Sequence, residues 1–386
     1  IGISGGMQPF DVSVTGLPEG LTWSVDGNEI LIHGCPSATG ISVFNANVEN
    51  TASCQNTNGS FSISVVSDPE CPLSGLDVLS VSETGIPDAS TGLPDESVQK
   101  IAVDDEGNRY LVGYVNNGQR NYDVRLIKYS PDGSMMWDKH YDTGSQDLGY
   151  AVNVSPDGQR VYVGGTTMRV TSNQLWWDAM LLELDTASGC SVGEQFYTAG
   201  TATSSVYYDI ASDTGAVYAV GEQQVNEDKP GDLPSGGLVS VFSQQASGPA
   251  GTCPDRISIS GSSSGELALQ WTTVREGGAP TVAYSVQVPD AYDCPACDIL
   301  VSGASGINGW VDVLDPDSQS LQPFLSSPAI SIQDMTVPGS NRIIIGGSSI
   351  DNEMKVLAFE RDGTPAWSQT GLGNGRLRAL ASDEYG

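Results

Sequence analysis

The chain has 386 residues, with 46 Gly, 21 Pro and only 16% charged side chains, and is long enough for two or more domains, each with its own core. Its 47 acidic against 16 basic side chains give a net charge of -31, a surface that repels phosphate backbones and anionic membranes and so excludes nucleic-acid partners. It contains no apolar run of the length a membrane helix needs, so no membrane insertion of this segment is expected.

Residues 1–66 alternate apolar and polar side chains in "DVSVTGLPEGLTWSVDGNEILIHG", "ISVFNANVEN" and "SFSISVV". Period-two runs divided by Gly and Pro predict antiparallel strands with one buried face, and "VDGNEI" predicts a tight hairpin. The stretch "ISGGMQPFDVSVTGLPEGLTWS…ILIHGCPSATG" resembles the bacterial Ig-like modules that begin GG-x-P-[FY] and carry "GLPxGL" and "GxPxxxG" segments. The resemblance implies a β-sandwich whose first strand is absent from this sequence, since only Ile1–Ile3 precede the motif. Residues 67–96 are rich in Ser, Pro, Gly and acid, with little periodicity, and are expected to be a linker.

From residue 97 the sequence repeats. "VDDEGNRYLVGYV", "VSPDGQRVYVGGT" and "ASDTGAVYAVGEQ" each carry a turn glycine and a second glycine six positions on: Gly107 and Gly113, Gly158 and Gly164, Gly215 and Gly221. Looser copies surround Gly303 and Gly346, and an apolar strand follows each, as in "DVRLIKYSPDGS" and "KVLAFERDGT". Repeated four-stranded meanders predict an all-β chain ending in a β-propeller, residues 97–386, whereas a helical solenoid would need a 3.6-residue period. The pattern "IAVDDEGNRYLVG…DVRLIKYSPDGSMMW" resembles the bacterial propeller repeats called SBBP, which implies a secreted or surface protein. Five blades are expected, with Leu380 to Gly386 opening a sixth, so that the chain is a portion of a longer polypeptide or is completed by another chain.

Seven cysteines favour disulfides and an extracytoplasmic chain. The candidates are Cys35 and Cys54 in the first segment, Cys294 and Cys297 in "CPAC", and Cys190 with Cys253. The last two follow the third strands of neighbouring blades, where a staple is expected. Zinc at "CPAC" is the rival reading, but the chain offers only His33 and His140 to complete a four-ligand set.

No catalytic set is evident. Neither His33, expected to face solvent, nor His140 lies near a G-x-S-x-G elbow, and Ser130-Pro131-Asp132-Gly133 spaces its Gly wrongly for an Asp-box. Trp137 and Trp367 are therefore expected to be core residues behind Asp-Gly hairpins. Asp104-Asp105-Glu106 and Asp315-Pro316-Asp317 lie in turns and could take Ca²⁺, yet no complete cation loop exists, so no cofactor is expected. Asn58 and Asn153 match the short glycosylation pattern.

Tyr122-Asp123 and Trp177-Asp178 occupy equivalent places, so Trp177 is expected to pack and Asp178 to hydrogen-bond between blades. Trp176 has no counterpart in the first blade and is the candidate for stacking on a sugar, against ordinary loop packing. These readings point to a non-enzymatic extracellular or cell-surface protein serving adhesion or assembly, with a subunit of an extracellular fibre or coat as a sharper variant. Its expected partners are other surface proteins or copies of itself, joined by strand donation, or polysaccharide. The alternatives are a lectin-like propeller and a polysaccharide hydrolase or lyase with carboxylates contributed by different blades.

Overall fold

The computed structural model describes residues 10–18, 21–26, 29–34, 40–50, 55–67, 76–82, 96–117, 121–171, 174–200, 203–225, 235–244, 251–260, 263, 267–276, 279–288, 298–327, 329–337, 342–370 and 372–380. These form two compact units, Ile1–Val98 and Gln99–Gly386. All regular structure among the described residues is β.

The first unit contains β1 (Phe10–Thr15), β2 (Leu21–Asp26), β3 (Glu29–Gly34), β4 (Gly40–Asn50), β5 (Gln55–Ser67) and β6 (Leu76–Ser82). β2 and β3 form the predicted hairpin, closing between Asp26 and Glu29. The other four make one antiparallel sheet in the order β1-β4-β5-β6. Ile30 of the hairpin and Phe44 of the sheet are buried in one core, with Val12, Val14, Trp23 and Ile32 packed around them. Alternation thus turns Val12 and Val14 of β1, Ile30 and Ile32 of β3, and Phe44, Ala46 and Val48 of β4 to the inside, and a buried Phe contributes about 1.5–3 kcal/mol. β6 corrects the expectation of a linker over 67–96. Its "LDVLSVS" alternates and pairs with β5, a signal hidden by the Ser- and Pro-rich flanks.

The second unit is a succession of sheets. Sheet I holds β7 (Glu96–Val103), β8 (Arg109–Asn116), β9 (Tyr122–Tyr129) and β10 (Met135–Asp142). Sheet II holds β11 (Asp147–Val154), β12 (Arg160–Thr171), β13 (Gln174–Asp185) and β14 (Ser191–Tyr197). Sheet III begins with β15 (Thr203–Ser212), β16 (Ala216–Val225) and β17 (Gly236–Ser243). The chain then leaves to add β18 (Arg256–Ser258) to the outer edge of sheet I, parallel to β10, and returns as β19 (Ala268–Arg275), the fourth strand of sheet III. Sheet IV holds β20 (Thr281–Gln287), β21 (Ile299–Ser305), β22 (Asn308–Asp315) and β23 (Ser320–Ser327). Sheet V holds β24 (Ile330–Thr336), β25 (Ile343–Ser349), β26 (Met354–Phe359) and β27 (Pro365–Gln369).

In each sheet the four successive strands are neighbours in chain order, the connectivity of a propeller blade. The cores lie between the sheets. Met180, Leu182 and Leu184 of β13 pack with Tyr110, Val124 and Leu126 of sheet I, while Ala179 and Leu181 pack with Tyr207 and Phe242 of sheet III. Both faces of such a strand are buried, which is why "AMLLEL" reads as a nearly unbroken apolar run. The first strands β11, β15, β20 and β24 adjoin one another in turn, so they surround a common axis.

The repeat glycines have a physical cause. β11, β15, β20 and β24 each carry a bulge, with Tyr150, Tyr208, Tyr284 and Gln333 as the extra residue. Facing the bulges are Gly165, Gly221, Gly303 and Gly347. A Cβ on any of them would lie 1.8–2.2 Å from the carbonyl oxygen of Leu148, Val206, Val282 or Ser331, respectively. The glycine equivalent to Gly221 is therefore Gly165 in sheet II and Gly347 in sheet V, one place beyond Gly164 and Gly346. The hairpin in sheet II spans Ser155 to Arg160 and that in sheet III only Asp213 to Ala216, so counting from the turn misplaces the register.

Trp137 packs partly buried against the first core, as expected, but Trp367 is 40% exposed on β27 and is no core residue. At the chain's end, Leu377 and Leu380 lie against Gly346, and the Leu380 amide donates to Asp334. Residues 381–386, where a turn of a sixth blade was expected, lie outside the described residues.

Candidate functional site

The bulges of β11, β15 and β20 hold Tyr150, Tyr208 and Tyr284, and Tyr114 of β8 and Tyr122 of β9, both regularly paired, extend the same line into sheet I. Because an extra residue is unpaired in the ladder, its side chain is re-aimed. The outcome is a row of rings. Tyr122 meets Tyr114 at 5.4 Å between centroids, Tyr114 meets Tyr150 at 6.5 Å, Tyr150 meets Tyr208 at 5.7 Å and Tyr208 meets Tyr284 at 5.9 Å. The row crosses sheets I to IV, and Gln333 continues it in sheet V, hydrogen-bonded to Tyr284. All five rings are half-buried, so each keeps an accessible edge or face.

Two clefts open along the row. The first, about 290 Å³, is lined by Tyr150, Tyr208, Trp177, Ser204, Glu222 and Gln224. Glu222 is 8% exposed and held by Gln224, Ser235 and the Tyr208 hydroxyl; burial raises its pKa. Burial also raises both phenols, that of Tyr150 to about 12, so they remain neutral hydrogen-bonding groups. The second cleft, about 350 Å³, is lined by Tyr284, Gln333, Ser331, Ser348, Asn352 and Arg376.

Trp176 is not the exposed ring expected at this face. It is 9% exposed, while the neighbouring Trp177, expected to pack, lines the cleft. Adjacent strand residues point to opposite sides, and Trp177 is the one on the side of the tyrosine row. Asp178 likewise differs from expectation. Its carboxylate pairs with Arg169 of the same sheet at 2.7 Å, and the bonds to the next sheet come from the backbone, Trp177 N–H to Ser204 Oγ and Ala179 N–H to Ser205 Oγ.

Near the axis, Asp209 and Asp334 each follow a bulge. Asp209 accepts the amides of Ile210 and of Val286 on the next first strand; Asp334 accepts those of Met335 and Leu380. Lys100 of β7 pairs with Asp209. Burial would lower the Lys100 ammonium, but Asp209 and Asp334 outweigh it and raise its pKa. Asp209 thus clasps β15 to β20, and Asp334 ties β24 to the segment at Leu380.

The remaining candidates are structural or fall outside view. Cys190 and Cys253 form the expected disulfide. Cys35, Cys54, Cys294 and Cys297 lie outside the described residues, as do the side chains of His33 and Asn58. His140 Nε2 lies 3.6 Å from Asp138 on β10. Asn153 accepts a hydrogen bond from Ser212 of the next sheet. Asp104 is occupied by Asn108 and Tyr110, and Asp315 by Asp317 and Ser318. Among the described residues no group of three His, Cys, Asp or Glu side chains could hold a metal ion.

One buried acid at the start of β11 leads to an expected pH dependence. Burial lifts Asp147 to about 6 despite hydrogen bonds from Thr143 and Thr167. Its folded pKa exceeds the unfolded value of about 3.9, so ionisation penalises the fold at pH 7 and the penalty is relieved as pH falls through 6 toward 4. Calorimetry is expected to give a thermal midpoint that rises between pH 7 and pH 5, and Asp147→Asn is expected to flatten that rise. An unchanged profile in the variant would remove Asp147 as its cause.

The fold is that of a propeller-type protein, and one face of its sheets carries a row of aromatic rings. Among solved structures, the chain is similar to a periplasmic gluconolactonase of Pseudomonas aeruginosa, at 11% identity and a TM-score of 0.42, covering 88% of this chain and 94% of that one. It is similar to prolyl oligopeptidase B of Galerina marginata, at 9% identity and 0.44, covering 86% of this chain and 43% of that one. A third is Sqt1 of Chaetomium thermophilum bound to the N-terminus of ribosomal protein L10, at 12% identity and 0.44, covering 89% and 84%. No protein-family model matches the sequence, and no curated protein sequence matches it. Enzymes are among these similar structures, so the expectation of a non-enzyme does not stand.

Proposed function

We propose that the second unit binds a hydroxyl-rich ring ligand, a glycan, along the tyrosine row, in a secreted or surface-displayed adhesion protein. The observation that carries this reading is the row itself with Trp177 above the first cleft. Pyranose rings present C–H faces that pack on aromatic rings and hydroxyl edges that need fixed polar partners. Ser204, Glu222 and Gln224 supply such partners beside the rings. The steps of 5.7 and 5.9 Å along the row are close to the advance of one sugar unit in a chain. The disulfide supports an oxidising compartment, and the acid-rich surface suits solubility outside the cell. In this reading the first unit is an Ig-like module and the repeats are of the SBBP kind.

A glycan array on the whole chain is the test. Trp177→Ala is expected to weaken binding about tenfold, the equivalent of about 1.4 kcal/mol, with the thermal midpoint little changed. A blank array, or binding unaffected by both Trp177→Ala and Tyr208→Ala, would overturn the reading.

A further inference from the structure

The two clefts differ in charge. The first contains Glu222, whereas Arg376 lines the second. Arg376 lines that cleft together with Tyr284, the last ring of the aromatic row, and Arg378 follows it two residues on. Among the described residues neither arginine forms an ion pair.

The segment bearing them is fixed by four hydrogen bonds. Gly375 N–H donates to Asn352 O at 2.7 Å, Ser348 Oγ donates to Gly375 O at 3.1 Å, Leu377 N–H donates to Ser348 Oγ at 3.2 Å, and Leu380 N–H donates to Asp334 at 2.7 Å. Leu377 and Leu380 face inward against Gly346, while Arg376 and Arg378 are exposed. Backbone anchoring on both sides of an exposed guanidinium lowers the entropy lost when it grips an anion. A guanidinium also matches a carboxylate or sulfate with two parallel hydrogen bonds.

Resting on the glycan reading above, we propose that the ligand is an anionic glycan whose carboxylate or sulfate sits at Arg376 and Arg378, with its less charged part toward Trp177. The overall negative field repels such a ligand, but at physiological ionic strength it is screened within about 8 Å, so the local pair decides. The glutamate at one cleft and the arginines at the other also set the direction in which the ligand lies.

The test is calorimetric titration of the whole chain with three probes: an oligomer of a hexuronic acid, its carboxyl-reduced hexose counterpart, and that counterpart after sulfation. The expected result is at least tenfold tighter binding of an anionic form than of the reduced one, a preference abolished in Arg376→Gln/Arg378→Gln and weakened by salt. Trp177→Ala is expected to weaken all forms alike, and preference between uronate and sulfate identifies the group read. Equal binding of all three probes, or a preference that survives in the double variant, overturns the proposal and leaves the glycan reading standing. Binding of none of the three, together with a blank array, overturns both.

Discussion

Gly221→Ala is expected to destabilise the second unit by about 2–4 kcal/mol and to lower its thermal midpoint on the order of 5–10 °C. The added Cβ would lie 1.8 Å from Val206 O and 2.8 Å from its carbonyl carbon. These are backbone atoms of the paired first strand, which cannot swing aside as a side chain can. Relief requires opening the bulge at Tyr208, and that bulge sets the place of Asp209, whose carboxylate clasps Val286. The damage should therefore spread to the tyrosine row and reduce ligand binding along with stability. Gly251→Ala serves as the control, because nothing lies within 4 Å of its added Cβ, and it is expected to change stability by less than about 0.5 kcal/mol. Thermal melting of both variants decides the matter. A Gly221→Ala midpoint equal to that of Gly251→Ala would mean that the bulge does not need its glycine.

Much of the architecture was legible because its signals are local. Alternation, Asp-Gly turns and a recurring glycine are read within a few residues, and they place the strands, the sheets and the partners of the Cys190–Cys253 bond. What was misread depends on register or on distant pairing. Counting from turn glycines fails where hairpins differ in length, which exchanged Gly164 for Gly165. Trp176 and Trp177 are adjacent, and sequence alone does not say which side of β13 faces the row. β18 pairs with a strand more than a hundred residues earlier, so no local pattern announces it. The aromatic row did leave a trace: Tyr150, Tyr208 and Tyr284 are each followed, two positions on, by Val152, Ile210 or Val286. Aligning the first strands on that pattern, rather than on the turns, would have put the tyrosines in equivalent places.

Removing the disulfide with Cys190→Ser/Cys253→Ser is expected to cost about 4 kcal/mol, the chain-entropy figure for a loop closed over a sequence separation of 63. The bond does more than shorten a loop. It holds the start of a strap, residues 251–260, that runs from sheet III past sheet II to sheet I. Along it Lys139 Nζ donates to Cys253 O, Pro254 O and Asp255, Arg256 pairs with Asp123 and Asp142, and Ile259 enters the first core. These contacts and three residues of parallel pairing act together, and the bond keeps them near their partners. Without the bond the strap should detach before the sheets melt, uncovering the edge of β10. Hydrogen exchange would read this as faster exchange at His140 and Ile259, whose amides donate to Asp255 O and Asp142 O, with the amides of β12 and β13 unchanged. Unchanged exchange at those two positions in the double variant, with an unchanged midpoint, would mean that the strap holds by its own contacts and that the disulfide is dispensable.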